Sequence, residues 1–195
     1  MRALPTGLRR QLEAAVLSGR REAEAGARAA LSSLGVTERE KPSHLTEAQA
    51  RLRRGLRAKQ RQLGGDFEVL VWDAAYEQWH RLLFARFLAE NRLLQHPQFG
   101  APVTLDECEE LASDLGEPDG WSVAARFAAE ILPGIFRLDD PCLQLRLAPE
   151  HRVALEKSVA GLPGELFVAD DSLGWVYQYW QSERKEQVNA AARDR

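Results

Sequence analysis

The stretch Phe67–Glu90, which reads FEVLVWDAAYEQWHRLLFARFLAE, sets the architecture of this 195-residue chain. Its large apolar residues recur every three or four positions, which is the period of an α-helix. They are Trp72, Tyr76, Trp79, Leu83 and Phe87, with Phe84 and Leu88 beside them. This stripe is wider than a helix needs when only one face meets the core. The sequence therefore predicts a helix over these residues at the centre of the fold.

A long amphipathic helix is predicted at the start of the chain. It begins at Thr6, an N-cap residue type, and runs to about Leu34, where Gly35 supplies a C-terminal stop. Leucine and alanine recur along it at helical spacing, with arginine and glutamate between them.

The second predicted helix starts with the capping-box pair Thr46 and Gln49 and ends at Gly64-Gly65, just before Asp66, the predicted cap of the central helix. Basic residues crowd the sides of this helix that its leucines do not occupy. They are Arg51, Arg53, Arg54, Arg57, Lys59 and Arg61. Such a cluster suits the phosphates of DNA, so these six residues are the candidate DNA contacts; the alternative is an arginine-rich helix face that is simply solvated.

Helices also account for most of the chain after the central one. Thr104 and Glu107 form another capping box, for a short helix that ends near Gly116. The other predicted segments are a loop over Gln95–Pro102, a helix over Trp121–Leu132, an irregular stretch over Ile135–Leu147, a helix from Pro149 to about Leu162, and a last helix from Asp170 or Asp171 towards Asn189. Alanine and leucine dominate and β-branched residues are sparse, which favours helices. We predict an all-α fold, an irregular bundle of about seven helices.

The net charge of −3 conceals two halves of opposite sign. Residues 1–63 hold 14 Lys and Arg against 6 Asp and Glu, whereas residues 64–195 hold 12 against 23. We therefore divide the chain into a basic arm of two helices, 1–63, and a helical core module, 64–195. This division has two interpretations: a basic arm for nucleic acid, or two halves that attract one another.

No catalytic or metal-binding constellation stands out. Glu77 and His80 have the spacing that places two metal ligands on one helix face, but a di-iron bundle needs that motif twice. Cys108 and Cys142 lie far apart and fit neither a zinc site nor a disulfide framework. Gly-rich phosphate-binding loops are absent. We predict no catalytic residue, no cofactor-binding residue and no metal in this chain, and a metal-dependent helical enzyme ranks third among the possible functions.

The localisation expected from the sequence is cytoplasmic. The start, Met-Arg-Ala-Leu-Pro, leads into a charged helix and does not resemble a signal peptide. No stretch approaches the roughly 20 apolar residues that a membrane span needs. We therefore expect no membrane partner.

Two stretches resemble a known family. The first block, Tyr76–Asn91, reads YEQWHRLLFARFLAEN; the second block, Asp170–Asn189, begins DDSLGWVYQYW. Both resemble the N-terminal region of large bacterial adenine-specific DNA methyltransferases of the restriction-modification and phage-exclusion types. The order of landmarks is also similar, with an Arg-rich second helix ending in Arg-Gln-Leu-Gly ahead of the two blocks, so the resemblance spans nearly the whole chain.

The resemblance implies a DNA-modifying enzyme but supplies no catalytic residue. In that family the two blocks precede a domain that binds S-adenosylmethionine and holds the flipped adenine with an Asn-Pro-Pro-Tyr motif. This chain contains neither that motif nor the Gly-rich part of the cofactor site. The resemblance thus implies a helical scaffold that is inactive alone: a truncated gene product, a fragment or a split subunit that ends before the catalytic domain.

The partner expected for such a scaffold is the methyltransferase catalytic domain, with DNA on the basic arm. Aromatic residues concentrate near the chain end and are more numerous than one core accommodates, so some should meet another surface. The predicted docking residues are Trp175, Tyr177, Tyr179 and Trp180. The alternative, from a different class, is a stand-alone helical protein-interaction module that binds its partner through this aromatic end.

Overall fold

The computed structural model describes residues 5–168, 174 and 176–181. Over these ranges the chain is all-α and contains no β-strand, which confirms the predicted fold class. The α-helices are α1 Thr6–Ser33, α2 Glu47–Gln62, α3 Phe67–Glu90, α4 Leu105–Leu115, α5 Gly120–Ile131, α6 Pro141–Gln144 and α7 Pro149–Ala160. A short 3-10 helix follows at Gly164–Leu166, and residues 176–181 are again helical.

The predicted capping boxes both form. The Thr46 hydroxyl accepts from the Gln49 amide at 3.3 Å, and the Thr46 amide donates to the Gln49 side chain at 2.9 Å. Thr104 and Glu107 make the same pair of bonds at the start of α4, at 3.2 and 2.7 Å. Each box satisfies amide groups that the first turn of a helix leaves without partners. These boundaries are therefore fixed by local hydrogen bonding.

Three helix starts differ from the sequence prediction. Thr6 is the first residue of α1, not its cap, and Pro5 precedes it without a side-chain bond. The cap of α5 is Asp119, whose carboxylate accepts from the Ser122 amide at 2.8 Å. Within the stretch predicted to be irregular, Asp140 caps the one-turn helix α6. The predicted cap of the last helix, Asp170 or Asp171, lies outside the described residues.

Helix α3 is the centre of the fold, as predicted. Helices α1, α5, α6 and α7 all pack against it, and α1 also packs along α7. The α1 helix comes close to its neighbours at two glycines: a side chain at Gly19 would collide with the indole of Trp79, and one at Gly26 would lie 2.8 Å from the His151 Cβ. Glycine lets the helices approach at these points because it has no Cβ.

The hydrophobic core has one large cluster and two smaller ones. The large cluster joins α1, α2, α3 and α7, for example through Leu12, Leu56 and Leu83, so it contains residues from both 1–63 and 64–195. The second cluster lies between the end of α3, α4 and α5, and the third gathers around Phe136. None of the helices in the described part of the chain has the length and apolarity to cross a membrane.

Candidate nucleic-acid interface and docking face

The six basic residues predicted to contact DNA occupy two kinds of position on α2. Arg51, Arg54 and Arg61 are exposed. Arg54 lies 3.5 Å from the Glu47 carboxylate, and the side chains of both residues are more than half exposed. Exposed pairs of this kind hold each other weakly, so Arg54 is accessible to another anion. The outer surface of α2 thus presents three guanidinium groups to solvent.

Arg53 is turned inwards and holds the loop between α1 and α2. Its side chain is 7% exposed and donates to the carbonyls of Gly35 at 3.0 Å, Glu38 at 2.6 Å and Glu40 at 3.0 Å. Arg57 donates to the same Glu38 carbonyl. A guanidinium fork suits several carbonyls at once, because its donors are rigidly arranged. The guanidinium groups of these two arginines are therefore bonded to carbonyls of the loop, and those donors are the ones that would otherwise bind a DNA phosphate.

Lys59 forms ion pairs with two carboxylates. Its ammonium group lies 2.7 Å from Asp73 on α3 and 2.5 Å from Asp140, the cap of α6. Burial lowers the pKa of Lys59, but the hydrogen bonds to Asp140 and Asp73 outweigh that effect and raise it above its usual value. Lys59 therefore ties α2 to α3 and α6, a role that the sequence pattern did not reveal because Asp140 is 81 residues away.

The predicted docking residues also divide. Trp180 is completely buried, Tyr179 is half-buried against the large core cluster, and Tyr177 is 53% exposed. Trp175 lies outside the described residues. Tyr177 is therefore the described member of the set with most of its ring available to a partner.

The two blocks that carry the family resemblance meet in the core. The rings of Trp79 in the first block and Trp180 in the second stack with centroids 4.9 Å apart and planes 21° apart. Tyr76 meets the same Trp180 edge-on at 5.5 Å and Tyr177 edge-on at 6.5 Å. Arg20 fixes the arrangement from α1 by donating to the Trp180 carbonyl at 2.8 Å. Two segments that are distant in sequence thus form one aromatic contact.

Glu77 and His80 occupy separate environments on α3. Burial, together with repulsion from Asp73 and Asp140, raises the pKa of Glu77 to about 7. Burial lowers the pKa of His80 to about 4, and its ring contacts aromatic neighbours, stacking on Tyr76 at a centroid distance of 4.8 Å. Within the described residues, no three His, Cys, Asp or Glu side chains are grouped to hold a metal ion. Cys108 and Cys142 are buried free thiols.

Comparisons with known proteins return no relative. No family model matches the chain, and no curated protein or solved structure matches it.

Proposed function

We propose that this chain is the helical N-terminal region of a site-specific adenine DNA methyltransferase of the restriction-modification or phage-defence type. In this proposal it docks on the catalytic domain, which binds S-adenosylmethionine, and contributes contacts to the DNA backbone. Methyl transfer then belongs entirely to the catalytic domain, and this chain acts as scaffold.

The observation that carries the proposal is the contact between the two blocks of family resemblance. Residues 92–169 separate the two blocks in sequence, yet Trp79 stacks directly on Trp180. Residues that resemble a family because they build its scaffold should pack against each other in the fold. The stacked pair gives the similarity a structural reason that helical composition alone does not supply.

The DNA contacts in this proposal are the exposed arginines Arg51, Arg54 and Arg61. Cations on a helix surface bind phosphates and release counterions, which makes binding weaken with salt. Because such contacts position the duplex without reading bases, these arginines would add affinity and little sequence preference. Arg53, Arg57 and Lys59 would support α2 by holding its neighbours.

The test for DNA contact measures binding of the full chain to a duplex across a salt series. The triple variant Arg51→Gln, Arg54→Gln, Arg61→Gln should flatten the log–log salt dependence by about 0.9 for each phosphate that an arginine no longer neutralises. The matched control removes three exposed cations elsewhere: Arg10→Gln, Arg92→Gln and Lys157→Gln. Equal slopes for the two triple variants would exclude α2 as the DNA-binding surface.

The test for docking mixes the full chain with a separately purified catalytic domain of a methyltransferase of this type. Tyr177→Ser should weaken the complex because it removes the exposed aromatic ring, whereas Phe99→Ser, which removes another exposed ring, should leave it unchanged. A chain that unfolds cooperatively as a monomer and binds neither DNA nor that domain would instead be the stand-alone interaction module.

A further inference from the structure

A cleft opens on the side of α3 away from the aromatic contact of Trp79 with Trp180. It has a volume of about 740 Å³ and lies between α3, α5, α7 and the segment 143–147. This size falls within the range of small-molecule sites in proteins, which are concave and mostly apolar with a few polar groups. Its apolar wall includes Leu82, Trp121 and Leu155.

Most charged groups in the cleft neutralise each other. Arg126 pairs with Glu117 at 2.9 Å, and Arg152 pairs with Glu156 at 2.8 Å and with the nearby Asp119. Both glutamates that line the cleft are therefore engaged by arginines on its wall. Two further arginines, Arg81 and Arg146, also line the cleft.

Arg146 is exposed to solvent, whereas Arg81 is half-buried in the wall of the cleft. Within the described ranges no carboxylate lies within 4.0 Å of its guanidinium, and its hydrogen bond is a 3.2 Å contact from Nη2 to the side-chain oxygen of Gln78. Its Nε is enclosed and has no hydrogen-bond partner. Burial lowers the pKa of Arg81 from its usual value by more than the charges of Glu117 and Glu77 raise it.

Gln78 holds Arg81 from a fixed position. Its side chain is 6% exposed, and its amide nitrogen donates to the carbonyls of Cys142 at 2.8 Å and Leu145 at 2.9 Å. Those two bonds orient the amide so that its oxygen faces Arg81. The guanidinium is thus preorganised without a carboxylate at ion-pair distance among the described residues, and preorganised groups lose little entropy when they bind.

We propose that this cleft binds a small organic anion, whose carboxylate or phosphate group pairs with Arg81 and whose apolar body rests on Leu82, Trp121 and Leu155. Enclosed charges are stable when they are paired, and arginine presents a planar fork that matches both kinds of anion. A small molecule suits the cleft because its volume of about 740 Å³ is that of a small-molecule site. The site uses none of the six basic residues on α2, so this inference stands apart from the proposed DNA contact.

The experiment is calorimetric titration of the full chain with three probes: benzoate, phenyl phosphate and inorganic phosphate. The two aromatic anions should bind and inorganic phosphate should bind more weakly, because it leaves the apolar wall uncovered. Comparing benzoate with phenyl phosphate identifies the preferred head group. Arg81→Met should lower the affinity for the preferred probe by roughly ten- to a hundredfold, the worth of a charge-assisted hydrogen bond.

Two further variants keep the result interpretable. Arg81→Lys retains the charge without the fork and should still lower benzoate affinity by about tenfold. The control Arg39→Gln removes an exposed arginine that does not line the cleft and should leave binding unchanged. The proposal is overturned if none of the three probes binds or if Arg81→Met binds the preferred probe as the parent does. It is also overturned if a blocked glutamate-containing peptide, titrated as a fourth compound, is the only one that binds, which would indicate a protein partner.

Discussion

Arg20 on α1 is buried and Arg81 on α3 is half-buried, and the fold surrounds the two guanidinium groups differently. Arg20 is 4% exposed, pairs with Glu24 at 2.7 Å and donates to the Trp180 carbonyl at 2.8 Å. Its guanidinium also lies 6.0 Å from the centroid of the Trp180 ring. Arg81 has the amide oxygen of Gln78 and, among the described residues, no carboxylate within 4.0 Å. The chain supplies Arg20 with a carboxylate at ion-pair distance, whereas the described residues supply none to Arg81.

The guanidinium of Arg20 lies in a closely packed, closed region, whereas that of Arg81 borders an open cleft. Withdrawing a guanidinium from water is costly unless ion pairs and hydrogen bonds replace the water. Around Arg20 the chain supplies both, and the surrounding space is filled by the stacked rings of Trp79 and Trp180. Around Arg81 it leaves a cleft of about 740 Å³. Three sets of variants test this contrast and the acidic group beside Lys59.

Removing Trp180 should break the closed region. Trp180→Ala empties the space between α1 and α3 and should lower the free energy of unfolding by about 3 to 5 kcal/mol, as large-to-small core changes do. The reason is the complete burial of this side chain against Trp79 and Tyr76. Urea unfolding followed by circular dichroism measures the loss.

Tyr177→Ala is the matched control for that variant. Tyr177 belongs to the same helical segment but is 53% exposed, and its described ring contact is the 6.5 Å edge-on approach to Tyr76. Its loss should cost about 1 kcal/mol, the worth of one aromatic pair. Equal losses for the two variants would mean that Trp180 is not anchored in the core.

Replacing Arg20 and Arg81 should have unequal effects on stability. Arg20→Met leaves the Trp180 carbonyl without its donor and Glu24 without its partner, and should lower the free energy of unfolding by about 2 kcal/mol. Arg81→Met removes a cation that has no carboxylate beside it in the described structure, so in anion-free buffer it should be neutral or stabilising. Differential scanning calorimetry compares the two, and a larger loss for Arg81→Met would contradict the assignment of Arg81 as the unpaired cation.

The sequence predicted the features of the fold that depend on neighbours in the chain. The capping pairs Thr46 with Gln49 and Thr104 with Glu107 are three residues apart, so their hydrogen bonds follow from spacing alone. Central packing of α3 followed from its broad apolar stripe. Helix α6 was missed because four residues carry no periodicity, although Asp140 before Pro141 is a capping residue before a favoured first helical position.

The site depended on contacts that no local pattern contains. Arg53 and Arg51 look equivalent in the sequence, yet Arg53 holds carbonyls 13 to 18 residues away, whereas Arg51 is exposed. Arg20 finds its carbonyl 160 residues away. The one available indication for Arg81 was a cation in the middle of the most apolar helix, which in a buried position requires either a partner or a ligand.

The smallest effect concerns the acidic group beside Lys59 and depends on pH. Glu77 has a pKa of about 7, raised by burial and by repulsion from Asp73 and Asp140. The folded state therefore keeps the Glu77 proton to higher pH than the unfolded state does, and stability falls as pH rises from about 4.5 to about 7. Glu77→Gln removes this loss. At pH 8 its free energy of unfolding should exceed that of the parent by about 1 kcal/mol, allowing for solvent screening, and at pH 4.5 the two free energies should be equal.

The difference in free energy of unfolding between variant and parent separates the effect of Glu77 from that of His80. The pKa of His80 is lowered to about 4, so its contribution to stability is lost as pH falls from about 6.5 to about 4, in the variant and the parent alike. The control Glu110→Gln alters an exposed carboxylate on α4 and should match the parent at both pH values. A Glu77→Gln variant that is less stable than the parent at pH 8 would mean that the charged carboxylate is held favourably, with attraction to Lys59 exceeding the repulsion from Asp73 and Asp140.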